Sequence, residues 1–528
     1  MGVEFRTIHP YQHPTMNPYD TAPKVHPDRR ALLKWLVCTG GFTGTLALPG
    51  AFAQSQAPLA SASEVWRATS RVGYGPTPQR VSEVQAAPSP QAWAMAQIDI
   101  AHAASQNAPH IEPDLAGFNA SLPELFQGVQ RERQARAKIK AGTAPAAEAQ
   151  ATPRMDFSGP VDPLYFNRTV AQQAAAWRLM AASQPDTENP LLARMTEFWF
   201  NHLNVFVGKG AVRPFVGHYV VNVARAHALG KFEDLLLASA RHPAMLLYLD
   251  QARSVAEGSR AGPGDTPRGL NENYARELME LHTLGVDGGY TQNDVRELAR
   301  VLTGWTIAPQ GSNGFRFAGR LHDTGGKLVM GRRFPNAFAA PGEHEGEDAI
   351  RMLARHPKTA QRVTLRLAQF FVADQPSQAL LNSLHRTFLD TGGDMRQVMQ
   401  TLLGSADFWA PENRLFKTPM DFACSALAAT NGATERRHWV LSLGFLANAG
   451  QPMHGWQTPD GYKTDAATWL VPEALTRRAD YAIALARQTS ELDFLTPFLS
   501  SATRQTLAQE SPGLRAGLAM ASPDFMYK

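Results

Sequence analysis

Apolar residues recur at spacings of three and four along 191–207, 232–249, 271–284, 292–302, 359–372 and 395–403. That period places one apolar stripe on each segment and predicts amphipathic helices. Two-residue alternation, the mark of a half-buried strand, is scarce. Its clearest instance lies in FRFAGRLHDTGGKLVMGRRF, residues 315–334, where Phe315 and Phe317 alternate around Arg316. A Gly325-Gly326 turn follows, and Leu328-Val329-Met330 resumes the apolar run, so a small hairpin between helices is expected. The predicted fold class is therefore mainly α, a large multi-helix orthogonal array with a small β-hairpin insertion.

The segment 131–160 passes from a charged, helix-like run into an Ala/Pro/Glu tract, and reads as a flexible insertion. It separates a short N-terminal helical region, 54–130, from a main helical body, 161–528. Ahead of both, Arg29 and Arg30 precede Ala31, Leu32, Leu33 and Lys34, and residues 35–53 carry no charge. Gly40, Gly41 and Gly44, with Thr39, Thr43 and Thr45, dilute that run below what a spanning helix shows. It closes on Ala51-Phe52-Ala53, a small-x-small site. Residues 1–53 thus read as a twin-arginine signal peptide, with Gln54 as the mature start and the twin-arginine export machinery as a partner. An uncleaved anchor is the alternative. The expected location is periplasmic or secreted, with no stable membrane span after cleavage.

Twin-arginine export carries proteins already folded, often with a cofactor, but names no cofactor. Of the two cysteines, Cys38 lies in the signal, so only Cys424 remains and no intrachain disulfide forms in the mature chain. A metal would have to use His, Asp, Glu or backbone oxygen. The formal charge is +4, and five Lys/Arg against three Asp/Glu before residue 54 leave +2 for the rest. A balance so near zero gives no reason to expect nucleic acid as a partner. With 44% hydrophobic residues, the chain has ample material for a large core.

Candidate chemistry concentrates in NENYARELMELHTLGVDGGYTQNDV, which starts at Asn271. Asn271 and Gly285 frame a helix of about thirteen residues. On an α-helix Tyr274, Leu278 and Leu281 share the core face, and Glu277 and Glu280 converge on the adjacent stripe. His282 falls about 140° round the axis from Glu277 and about 160° from Glu280. A di-iron strip needs Glu-x-x-His, and the residue three after Glu277 is another Glu. Partners for these carboxylates would have to come from elsewhere: Asn201, His202, His242, Asp250, or the adjacent His322 and Asp323. The bland reading of Glu277 and Glu280 is a solvated pair, with Arg276 and Glu280 at i,i+4. His242 and His356 precede prolines and read as helix-terminal turns.

In LHDTGGK, His322 and Asp323 occupy a glycine-flanked loop, where a His can move a proton, a carboxylate can hold a hard cation and Lys327 can hold an anion. The alternative is a polar turn capped by Asp323. Thr291 and Asp294 form a capping box for the next helix. No GxGxxG, GxxxxGK[ST], HExxH or GxSxG occurs with the right flanks. The site expected is Glu277, Glu280, His322 and Asp323 as catalytic groups, with a divalent metal on His322, Asp323 and Glu277.

The stretches WRATSRVGYGPTP, FWFNHLNV, PAMLLYLD, NENYARELMELHTLGVDGGYTQNDV, ARVLTGW, LHDTGGK and SPDF together resemble the bacterial family called domain of unknown function 1800. The resemblance covers nearly the whole mature chain. It implies a mostly helical, exported protein, often encoded beside a second exported protein of alkaline-phosphatase-like type, and no settled activity. Two functions stay open: an exported metal-assisted hydrolase or oxidoreductase, or a helical scaffold or maturation partner of that co-exported protein.

Overall fold

The computed structural model describes residues 57–142, 161–259, 269–336, 340–487, 489 and 492–528. The expected signal peptide, with Arg29 and Arg30, lies outside them, as do residues 143–160 of the expected insertion. The first ten residues of that segment continue the helix Leu122–Lys140.

The architecture is mainly α. Helix starts repeat one device, a capping side chain followed by proline: Thr77-Pro78, Ser89-Pro90, Asn189-Pro190, His242-Pro243, His356-Pro357 and Thr418-Pro419. The capping atom accepts an N–H that has no partner inside the helix, and proline at the first position lacks a donor that would have been idle there. His242 and His356 are thus helix caps, as their sequence context predicts. The capping box on Thr291 and Asp294 is present at the start of Gln292–Val301.

Helices Phe166–Ser183, Pro190–His202 and Pro419–Thr430 are buried on nearly every face and form the centre. The apolar cluster around them runs from Val65 to Met526, joining both ends of the described chain. Trp66 Nε1 donates to Tyr527 O at 3.2 Å across that junction. Arg194 bonds Asp421, and Lys528 Nζ donates to the same carboxylate at 2.6 Å, so an ion triad ties two central helices to the chain end. No helix among the described residues is long and apolar enough to cross a membrane.

Two expectations change. The segment 232–249 is not one helix but two, Phe232–Arg241 and Pro243–Tyr248, because Pro243 cannot continue the first. The β structure among the described residues is two short antiparallel ladders rather than one hairpin across Gly325-Gly326. Trp305–Ile307 pairs with Phe315–Phe317, and Lys327–Val329 pairs with Arg332–Phe334 through the Met330-Gly331 turn. The turn residues Met330 and Gly331 both have positive φ, at 47° and 78°, as a type I′ turn requires.

Candidate functional site

The helix that opens at Asn273 does not remain an α-helix. Asn273–Glu277 is α-helical, and Leu278–His282 is a π turn. The wider i→i+5 spacing rotates the later side chains away from the faces that an α-helix assigns. Tyr274 and Leu278 enter the core as expected, but Met279 and His282 join them while Leu281 is left half-buried. Thr283 Oγ1 donates to Leu278 O at 2.6 Å and closes the turn.

Glu277 therefore ends the regular helix on a half-buried edge. Burial raises its pKa, and Glu280 and Asp460 raise it further, against the opposing charge of Arg276. Glu280 pairs with Arg276 at 3.7 Å, and Arg276 also reaches Glu272 at 3.3 Å and Gln292 at 2.9 Å. Tyr248 lies within electrostatic reach of Glu277 and Asp460; burial first, then those carboxylates, pushes its phenol above the ordinary range. Tyr290 is raised to about 12, by burial and then by its hydrogen bond to Glu280.

The basic side of this cluster comes from the helix Pro357–Phe371. Arg362 Nε donates to Leu281 O at 2.9 Å, and Arg366 donates to Asp460 O at 3.1 Å. Burial lowers the pKa of both guanidiniums, Arg366 to about 10. Beneath them, His202 Nε2 donates to His282 O at 3.0 Å. Burial, then the charges of Arg362 and Arg366, pushes His282 down to about 3, and the same causes lower His202. Both shifts favour the neutral form of the ring.

Asp460 is placed by a loop pinned to the end of Pro190–His202. Asn201 Nδ2 donates to Tyr462 O at 2.9 Å while its Oδ1 accepts Tyr462 N–H at 2.7 Å. Asn204 Nδ2 donates to Trp456 O and Thr458 O at 3.0 and 2.9 Å. Trp456 Nε1 and Thr458 Oγ1 then both donate to Asp460 Oδ1. Gly461 makes the close approach possible, since at φ 73° a Cβ there would lie 2.0 Å from Asn201 O.

His322 and Asp323 serve a different place. His322 Nδ1 donates to Thr303 O at 2.9 Å, and its Nε2 lies 2.8 Å from Glu345 Oε1. Lys327 Nζ donates to Glu345 Oε2 at 2.9 Å, and the side chains of both Lys327 and Glu345 are fully buried. Asp323 accepts from Arg300 at 2.8 and 3.2 Å and from Gly325 N–H at 2.9 Å, the capped turn among the readings of the sequence. These bonds fasten the second ladder to Gln292–Val301 and Glu343–Ala354. Their partners are not shared with Glu277 or Glu280, so the four expected residues fall into two groups. No three His, Cys, Asp or Glu side chains among the described residues are gathered to hold a metal, and the set His322, Asp323 and Glu277 is not brought together.

The remaining candidates are also engaged. His242 Nδ1 accepts Ala244 N–H at 3.1 Å, so its proton sits on Nε2 and is donated to His218 Nδ1 at 2.9 Å. Asp250, in the left-handed region, accepts from Lys209 at 2.8 Å.

The family described as "Protein of unknown function (DUF1800)" matches residues 67–527. The chain belongs to this family. No curated protein and no solved structure matches it. In this DUF1800 chain three of the long motifs contribute to the cluster: FWFNHLNV holds the 456–462 loop, PAMLLYLD brings Tyr248, and NENYARELMELH brings Glu277 and Glu280. Asp460, Arg362, Arg366 and Glu345 are not evident from sequence. Asp460 sits in a Pro-Asp-Gly turn, the arginines read as a solvated helix face, and Glu345 reads as one acid in an exposed GEHEGED run.

Proposed function

We propose that the chain is an exported hydrolytic enzyme whose proton-carrying group is Glu277. The observation that carries this reading is the convergence of Glu277, Glu280 and Asp460 with Tyr248, Arg362 and Arg366 at a π turn. Burial and the neighbouring Glu280 and Asp460 raise the Glu277 pKa and favour its protonated form, as a proton-carrying carboxyl requires. Glu277 gives that proton to a leaving group or takes one from water, and the two arginines stabilise negative charge that develops beside them. Irregular helical turns of this kind recur at functional sites.

The test is the exported protein against a panel of chromogenic esters and glycosides, with Glu277→Gln and Asp460→Asn as variants. Loss of about a hundredfold or more in kcat by both, with folding intact, is the expected result. Unchanged turnover in folded Glu277→Gln refutes the assignment. The divalent-metal and oxidoreductase variants of this reading rest on elemental analysis of the natively exported protein. Export itself is inferred from Arg29 and Arg30, and the location is accordingly periplasmic or secreted.

A second reading is a helical scaffold or maturation partner of a co-exported alkaline-phosphatase-like protein. It is favoured by the engagement of His322, Lys327 and Asp323 in bonds that only fasten elements together. Co-purification of such a partner at fixed stoichiometry, with no turnover in any assay, is the result that would select it.

A further inference from the structure

The helix Leu122–Lys140 ends in the run RERQARAKIK, in which Arg131, Arg133, Arg136, Lys138 and Lys140 are all exposed. Glu132 is the one acid of the run, and it is buried and engaged: Oε1 accepts from Arg136 at 2.9 Å and Oε2 accepts Asn167 N–H at 2.7 Å. Five Lys/Arg against one Glu give these ten residues +4, so the rest of the chain after residue 53, which totals +2, sums to −2 without them. The small net charge thus conceals one concentrated basic surface. The helix dipole favours cations in the last turn, but Arg131 and Arg133 lie about two turns before the end, beyond its reach.

The placement of the five side chains selects what lies against them. Leu125, Gly128 and Glu132 form the buried stripe of this part of the helix. At about 100° per residue, Arg133, Arg136 and Lys140 fall on one side of that stripe, and Arg131 and Lys138 on the other. The outward crest between the two flanks carries the exposed Gln130, Gln134 and Ala137, which have neither charge nor a large apolar group. An extended acidic peptide is narrow and meets one flank at a time. A planar array of anionic headgroups meets both, because long Lys and Arg side chains bend past the crest toward it. With nothing on the crest to insert among acyl chains, the attraction is electrostatic.

We propose that the exposed end of Leu122–Lys140 docks the protein on an anionic phospholipid bilayer, where it lies on the headgroups without crossing them. The surface shares no residue with the Glu277 cluster, and the proposal does not depend on the hydrolytic reading.

The experiment is co-sedimentation of the exported chain with phosphatidylcholine vesicles that contain about one third phosphatidylglycerol, with pure phosphatidylcholine vesicles and soluble poly-glutamate in parallel. Binding to the anionic vesicles is expected to weaken at least about tenfold when Arg131, Arg133 and Lys140 are replaced together by glutamine, and to weaken as salt rises from about 50 to about 300 mM. All three positions are exposed and glutamine is a good helix former, so the variant keeps its fold. Glutamine at Arg333, Arg487 and Arg504, exposed arginines of three other elements, removes the same charge elsewhere and should leave the affinity within about twofold. No binding to the anionic vesicles, equal binding to pure phosphatidylcholine, poly-glutamate held as tightly as the vesicles, or the same loss in both triple variants overturns the proposal.

Discussion

Replacing Glu345 by leucine tests the claim that the LHDTGGK segment is an anchor. Glu345 Oε1 receives Gly342 N–H at 3.0 Å and faces His322 Nε2 at 2.8 Å, while Oε2 receives Lys327 Nζ at 2.9 Å. The Glu345 and Lys327 side chains have no exposed surface. Leucine at this position leaves the Lys327 ammonium buried with its counter-charge gone, and removal of one partner of a buried pair costs about 3–5 kcal/mol. Replacing the lysine as well, in Glu345→Leu with Lys327→Met, removes the stranded charge and should recover most of that loss, because a well-packed apolar pair is close to neutral.

The pH dependence has a defined sign. Burial raises the Glu345 carboxyl, but hydrogen bonds from His322 and Lys327 outweigh it and hold the pKa below the usual range. A depressed carboxyl contributes stability above its unfolded pKa of about 4.3 and loses it as pH falls through the lower folded value. The gap between wild type and Glu345→Leu should therefore be full at pH 7 and shrink below about pH 4. Urea unfolding followed by far-UV circular dichroism at pH 7 and at lower pH measures both effects. A single-variant loss under about 1 kcal/mol, or a double variant no more stable than the single, refutes the anchoring argument.

Glu277→Gln should leave the fold intact and raise thermal stability slightly, by less than about 1 kcal/mol at pH 7, since a half-buried carboxylate with a raised pKa is costly when ionised; the gain should vanish as pH falls below the unfolded value, and a lower melting temperature at pH 7 contradicts it. Asp421→Asn should cost about 3–5 kcal/mol at pH 7, because Arg194 and Lys528 lose the carboxylate that they overcome burial to keep ionised; chemical denaturation checks it, and a loss below about 1 kcal/mol is inconsistent. Gly461→Ala should destabilise the 456–462 loop and suppress any Glu277-dependent turnover, since its Cβ would meet Asn201 O at 2.0 Å; hydrogen exchange unchanged in that loop argues against the close approach. Replacing Arg29 and Arg30 together with lysine should trap precursor in the cytoplasm, and N-terminal sequencing of the exported wild type should begin at Gln54; normal export of the double variant removes the signal assignment.

The sequence by itself determined the mainly helical class and the ends of several helices. Apolar spacing marks 292–302, 359–372 and 395–403, and helices are found at Gln292–Val301, Pro357–Phe371 and Met395–Gly404. Caps at Thr291, His242 and His356 were legible because capping is settled within three residues. The family motifs were legible for the same reason, being contiguous. What tertiary structure alone decided was which polar groups meet. The π turn at Leu278–His282 reassigns His282 and Leu281, and i,i+3 or i,i+4 arithmetic cannot see it because the turn depends on what packs around it. His322 was readable as a site residue only until Glu345, twenty-three positions later, took it into a buried bond. Asp460 reaches the neighbourhood of Glu277 because Asn201, some 260 positions earlier, holds the loop that carries it. Such pairings are set by burial and by the need to satisfy polar groups far apart in the chain, and no local period records them.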